Sequence, residues 1–418
     1  MAVDERSVAT PGDYSSIFRQ YVLRGAEQTL ATITQESPLD TDEREQALLT
    51  LTYALDLPDA WPVTRDLLVA LAPRLEKAGY REQWTPYLEQ GVDRCRAAGD
   101  AAAEGELLHQ LGMICQLLGQ LGDARGYYEQ SATCFAQVDD QHRQARALNR
   151  TALTFRLQRR LEEASRAADA AFALLPPDDP ERGYTSFIWG CIALDNRDWP
   201  LAVHHYQEAL DVAENAGDPR RIAWSLTNLG PALRASGRNE EAAACYERAI
   251  PILDDIEDWV NQAAARSNLG TIYLNTNQLE AALLLYNQAE EVFREVHDLV
   301  RLASTTTNLS LVHRQLGQPD KAAYYAEASI HFNRQIGNDA SVVNAMNCLA
   351  EAYVDAGRYE EAEAVLDEAW TLLQPIQDKP GNDILVDDMK ATLALIAQRR
   401  DHPEEPVSRH PLPGGDDG

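Results

Sequence analysis

The chain has 418 residues, with 37 lysines and arginines against 66 aspartates and glutamates and a formal net charge of −29. Apolar residues make up 45% and charged residues 25%, so the chain can bury a core and is not disordered throughout. At that charge the long-range field repels phosphate, which excludes nucleic acid as the main partner and disfavours anionic membrane surfaces.

The first 13 residues are polar and acidic, with no apolar core of a signal peptide, and are expected to be disordered. No run approaches 18 apolar residues, so no membrane span is expected. Cys95, Cys115, Cys134, Cys191, Cys245 and Cys348 are scattered without a CxxC and read as small buried hydrophobes of a reducing compartment. The cytoplasm is therefore the expected location. Residues 14–36 and 41–57 read as two helices forming an N-terminal cap over 14–63.

From residue 64 to 383 the chain repeats itself. Alanines fall at Ala124, Ala164, Ala202, Ala242, Ala282, Ala322 and Ala362, spaced by 40 residues except for one step of 38, and one further step back lands on Trp84. Twelve residues before these eight positions stand Ala72, Gly112, Ala152, Gly190, Gly230, Gly270, Ser310 and Ala350, and seven after them Gly91, Ser131, Ala171, Ala209, Ala249, Ala289, Ser329 and Ala369. Between the first two marks lie Gly79, Gly119, Gly237, Gly317 and Gly357, with Arg159, Arg197 and Asn277 as variants, as suits a left-handed helix C-terminus. Each repeat thus reads as helix A, a tight turn, helix B and a loop. Small residues let the two helices approach closely, while Leu229, Leu269, Leu309 and Leu349, and Tyr206, Tyr246 and Tyr286 on helix B, are expected to fill the space between repeats. Pro176, Pro177 and Pro180 are expected to shorten one loop and so account for the 38-residue step. Residues 384–399 read as a closing amphipathic helix, and the proline- and glycine-rich 400–418 as a disordered tail.

Residues 228–250, 268–290 and 348–370 resemble the tetratricopeptide repeat family, whose pattern is a Leu-Gly pair, an aromatic three residues later and an Ala-aromatic-Ala series. The period exceeds the family's 34 by six, expected to lengthen helix B and its loop, and in this resembles the longer repeats of kinesin light chains and bacterial regulatory proteins. Residues 75–100 also resemble the sensor arrays that follow nucleotide-switch ATPase modules, although no GxxxxGK[ST] is present. The resemblance implies an all-α, right-handed superhelical solenoid of about eight antiparallel helix pairs with helical caps, helix A lining the inner surface.

No GxSxG, HExxH, Walker or GxGxxG motif occurs, so neither an enzyme nor a cofactor is expected. His204, His205 and Glu208 adjoin, but neighbouring helical residues point about 100° apart, and no metal site is expected of them. The acidic pairs Asp254/Asp255, Glu290/Glu291 and Glu360/Glu361 read as solvated faces of helix B.

Along helix A, Trp224, Asn228, Pro231 and Ala235 form one narrow stripe, repeated as Ala264, Asn268, Thr271, Asn275, then Ser304, Asn308, Leu311, Gln315, then Asn344, Cys348, Glu351, Asp355. Asn228, Asn268 and Asn308 make a ladder flanked by Thr227, Ser267 and Thr307. A carboxamide donates and accepts at once, so each rung can grip a peptide unit whatever the ligand's side chain. Helices about 8–10 Å apart match three extended residues at about 3.3 Å each. Kinesin light chains and bacterial peptide-pheromone receptors resemble this arrangement. Arg146, Arg150 and Arg156 of an earlier repeat, with Arg234 and Arg314 beside the ladder, are expected on the inner face, either to receive a carboxylate or to pair with the protein's own acids. Two functions follow: an adaptor or sensor of signalling that binds a protein or extended peptide in a concave groove, or a scaffold that self-associates with its groove empty.

Overall fold

The structure, a computed structural model, describes residues 11–34, 41–77, 81–379 and 381–401. Gly79 and most of the two ends expected to be disordered lie outside those residues. The described residues hold nineteen α-helices and no strand, divided into two compact units between Val212 and Ala213.

In the first unit, α1 (Pro11–Ile33) and α2 (Thr41–Ala54) precede four helix pairs. These are α3 (Trp61–Lys77) with α4 (Arg81–Ala98), α5 (Ala101–Leu117) with α6 (Leu121–Gln137), α7 (Gln141–Leu157) with α8 (Leu161–Leu174), and α9 (Glu181–Asp195) with α10 (Trp199–Ala216), the last running through the division. Ile33, Ala47 and Leu51 of the first two helices are buried with Leu67, Leu68 and Leu71 of α3. The second unit holds α11 (Pro219–Ala235) with α12 (Asn239–Asp255), α13 (Trp259–Asn275) with α14 (Leu279–Glu295), α15 (Leu299–Gln315) with α16 (Pro319–Ile336), and α17 (Asp339–Asp355) with α18 (Tyr359–Leu373). It ends in α19 (Asp383–Asp401), which buries Met389, Thr392 and Ile396. Most A and B helices alike have 17 residues, so the lengthening over 34 is shared by both helices rather than placed in helix B.

Size complementarity within each pair explains the small-residue marks. Gly112, Gly190, Gly230 and Gly270 on helix A face Tyr128, Tyr206, Tyr246 and Tyr286 on helix B of the same pair. A Cβ on Gly112 or Gly190 would stand 2.7 Å from a ring carbon, one on Gly270 3.1 Å, and one on Gly230 closer still to Tyr246. Where helix A carries the larger Ala152, Ser310 or Ala350, helix B carries Ala168, Ala326 or Leu366, all fully buried or nearly so. The tyrosines therefore fill space within a pair, and Tyr286 also packs against Leu309 of the next pair, between repeats as expected. Leu309 does join neighbouring repeats, packing with Leu274, Ala282 and Tyr286.

The turns after helix A are left-handed at the expected places, including Arg159 (φ 61°), Arg197 (φ 59°) and Asn277 (φ 61°). A second left-handed series, unforeseen from the sequence, ends helix B at Gly99, Asp139, Gly217, Glu257, His297 and Gly337. Each is followed by an N-cap whose side chain accepts from the third helical amide: Asp100, Asp140, Asp218, Asp258, Asp298 and Asn338. A non-glycine side chain in that region costs about 1–2 kcal/mol. Arg197→Gly is therefore expected to raise stability by about 0.5–1 kcal/mol, less the entropy that glycine adds to the unfolded chain, read as a higher midpoint in urea.

The 38-residue step arises differently from the expectation. The connection over residues 175–180 has six residues rather than three, and α8 and α9 are shortened to 14 and 15. Proline forces the residue before it out of the helical region, so Leu175 is extended (ψ 132°) and α8 stops early.

Candidate functional site

Helices α13, α15 and α17 are the A helices of three consecutive pairs in the second unit, and together they line a cleft of about 450 Å³. That volume lies within the range of about 300–1,000 Å³ usual for ligand clefts. From α13 come Ala264, Ser267, Asn268 and Thr271; from α15, Val300, Arg301, Ser304, Thr307 and Asn308; from α17, Ser341 and Asn344. Phe293 and Asn333 of the B helices complete the wall. None of these thirteen side chains is a carboxylate, in a chain of net charge −29.

The polar groups fall into two sets. The flanking residues of the ladder are used internally: Ser267 lies 3.4 Å from the Thr305 hydroxyl, and Thr307 2.7 Å from that of Ser329. The same register on α17 holds Asn347, which accepts from Thr392 of α19 at 2.8 Å. Thr271 is likewise engaged, donating to the Ser267 carbonyl and accepting from Tyr286 Oη at 3.0 Å. By contrast Asn268, Asn308 and Asn344 are half-buried or exposed, and among the described residues their carboxamides have no hydrogen-bond partner. One cation, Arg301, stands at the cleft, its guanidinium on the N-cap Asp298.

The other predicted residues are placed elsewhere. Asn228 donates to the Trp224 carbonyl of its own helix at 2.8 Å, and Thr227 to the Ala223 carbonyl, so the first rung is turned back on its own backbone. Asn275 is exposed at the end of α13; Arg234 and Gln315 are half-buried and engaged within the protein. Arg314 pairs with Glu351 and, at 3.1 Å, with Asp355. In the first unit Arg146 pairs with Glu106 at 2.5 Å and Arg156 with Asp195 at 2.6 Å, while Arg150 donates to Tyr184 Oη at 3.0 Å. Those cations meet acidic or phenolic groups of the protein itself. Arg301, Val300 and Ser341 were missed by the sequence reading; extending each stripe one turn towards the helix N-terminus reaches them.

Two carboxylates, Glu351 and Asp355, share Arg314. Burial pushes the Glu351 carboxyl above its ordinary value, against the pull of Arg314 and with help from Asp355 and Asp388. Burial likewise raises Asp388 on α19. A folded-state value above the unfolded one means that stability is present at low pH and lost as pH rises through the raised value. Glu351→Gln should therefore reduce the gain in melting temperature that acidification brings through this carboxyl, read as the difference from the parent chain across a pH series. All six cysteines are unpaired, and burial pushes the Cys95 and Cys348 thiols up to about 12, far from nucleophilic use.

The tetratricopeptide repeat family profile matches residues 103–176, 190–255 and 261–335, just over half of the chain, with related tetratricopeptide profiles at 227–294 and 342–374. The chain belongs to the tetratricopeptide repeat family. No curated protein matches it. Among solved structures it is similar to a signal transduction ATPase with numerous domains carrying a tetratricopeptide repeat sensor, from Pyrococcus horikoshii, at TM-score 0.60 and 13% identity over 85% of this chain and 56% of that one. It is also similar to aspartyl phosphate phosphatase F of Bacillus subtilis, at TM-score 0.51 and 14% identity over 89% and 96% of the two chains. A Rap protein complexed with competence and sporulation factor gives TM-score 0.52 and 14% identity over 88% and 99%. At these identities the likeness is one of fold. Among the described residues no helix is long and apolar enough to cross a membrane.

Proposed function

We propose that this chain is a non-enzymatic adaptor or sensor of cytoplasmic signalling that holds an extended segment of a partner protein, or a small peptide, in the cleft of its second unit. The observation that carries this reading is the set of unpartnered carboxamides, Asn268, Asn308 and Asn344, on three consecutive A helices in a cleft without carboxylates. Groups that donate and accept together suit a peptide backbone, and Arg301 suits a carboxylate on the ligand. The fold is shared with the Rap protein that was solved with competence and sporulation factor.

A photo-crosslinking residue in place of Ser304 tests the reading in a lysate of the native host. An adduct mapped to one extended segment of a protein or peptide is the expected result; no adduct above that of an exposed control position overturns it. An adduct to a second copy of this chain favours the other reading, a self-associating scaffold. That reading has its own observation: Phe18, Tyr21, Leu49 and Tyr53 of α1 and α2 are exposed by 50%, 80%, 58% and 47%, and the Phe18 and Tyr53 rings touch edge to face.

A further inference from the structure

We propose a second site, in the first unit and apart from any peptide: a three-ligand centre for a zinc-class divalent ion built by His204, His205 and Glu208 of α10. The helical wheel explains why these side chains converge although adjacent residues point apart. With His204 at 0° and His205 at 100°, Glu208 falls at about 40°, between them, so one carboxylate reaches both rings. His204 Nε2 lies 3.5 Å from Glu208 Oε1, and His205 Nδ1 lies 3.0 Å from Glu208 Oε2. Tetrahedral zinc with bonds of about 2.0–2.1 Å sets its ligand atoms about 3.4 Å apart; the two contacts use different oxygens of the carboxylate, so a small turn of the Glu208 carboxylate is needed to offer one oxygen to both rings.

The three ligand atoms lie within 4.8 Å of one another, and among the described residues this is the one group of histidine, cysteine and carboxylate ligands so gathered. The remaining nitrogen–nitrogen edge closes by rotation of His204, whose side chain is exposed by 63%. His205 is the fixed member: its ring sits 5.4 Å from that of Trp189, whose indole N–H donates to Asp169 at 3.1 Å. Two imidazoles and one carboxylate suit zinc, cobalt, nickel or copper and not calcium or magnesium, which take mostly oxygen ligands. Three protein ligands leave a coordination position open to water or to a donor from another molecule.

The test titrates Co²⁺ into the chelator-treated full chain and follows its visible absorption, then displaces it with Zn²⁺. One equivalent of four-coordinate Co²⁺, displaced by Zn²⁺, is expected. His204→Ala, His205→Ala and Glu208→Gln should each weaken binding at least about tenfold, with circular dichroism unchanged. His142→Ala, a histidine paired instead with Asp179 at 2.9 Å, should leave binding as it was. Absence of saturable binding, or one-equivalent binding that survives the His204→Ala/His205→Ala double change, overturns the proposal.

Discussion

Gly230→Ala is expected to destabilise the second unit by about 1–3 kcal/mol, the scale of overpacking a well-filled core. The added methyl lands on the Tyr246 ring, nearer than at any other described glycine, and Tyr246 is itself fully buried. The ring cannot swing away into solvent, so the pair must separate or the tyrosine must leave its rotamer. The repeat provides its own remedy: Ala350 faces Leu366 where Gly230 faces Tyr246. Gly230→Ala combined with Tyr246→Leu should therefore recover most of the loss, whereas Tyr246→Leu alone leaves a cavity beside the glycine and costs about 2 kcal/mol. Urea unfolding of the three variants measures the coupling. If the two single losses simply add, the ring and the glycine are not a matched pair.

Changing Asn268, Asn308 and Asn344 together to alanine should weaken binding of the captured partner by about 10–10³-fold, at about 0.5–1.5 kcal/mol for each lost hydrogen bond. Because these carboxamides have no hydrogen-bond partner among the described residues, the melting temperature should barely move. Asn347→Ala, one residue from the stripe, should do the reverse. It leaves the buried Thr392 hydroxyl only the Asp388 carbonyl of its own helix and removes its bond to α17, so it should loosen α19 and leave affinity nearly intact. Isothermal titration and thermal melts of both variants separate gripping amides from packing amides. A triple variant that melts far lower, or binds unchanged, contradicts this assignment.

The period, the helix pairs and even the arginines in left-handed turns were legible in the sequence, because each depends on residues close along the chain. Side-chain partnerships were not. Asn228 occupies the same ladder position as Asn268 and Asn308, yet it bonds to its own helix, a choice that spacing does not encode. The inward arginines are by sequence equally open to a ligand or to internal acids; the acidic partners of Arg146, Arg156 and Arg314 lie 37 to 41 residues away on the neighbouring A helix, and Arg150 meets Tyr184, 34 residues away. Searching for opposite charges one repeat apart would have found Glu106 with Arg146 and Arg156 with Asp195. The proline-rich step misled because a shorter period suggested a shorter loop, when proline instead ended one helix early. The N-cap aspartates Asp100, Asp140, Asp218, Asp258 and Asp298 are legible in the same way, since each caps an amide only three residues on.

The size matching inside the helix pairs, glycine to tyrosine in four of them, also governs how such a chain can be recombined. The complementary residues lie sixteen positions apart within one hairpin, so the hairpin is the hereditary unit. A crossover between repeats at the aspartate caps would pass both halves of a match to the descendant. One at the turn between helices A and B would marry the Ala350 helix to a tyrosine, or the Gly230 helix to a leucine. Whole-repeat gain and loss is thus mechanically cheap for this chain, while exchange of single helices is not.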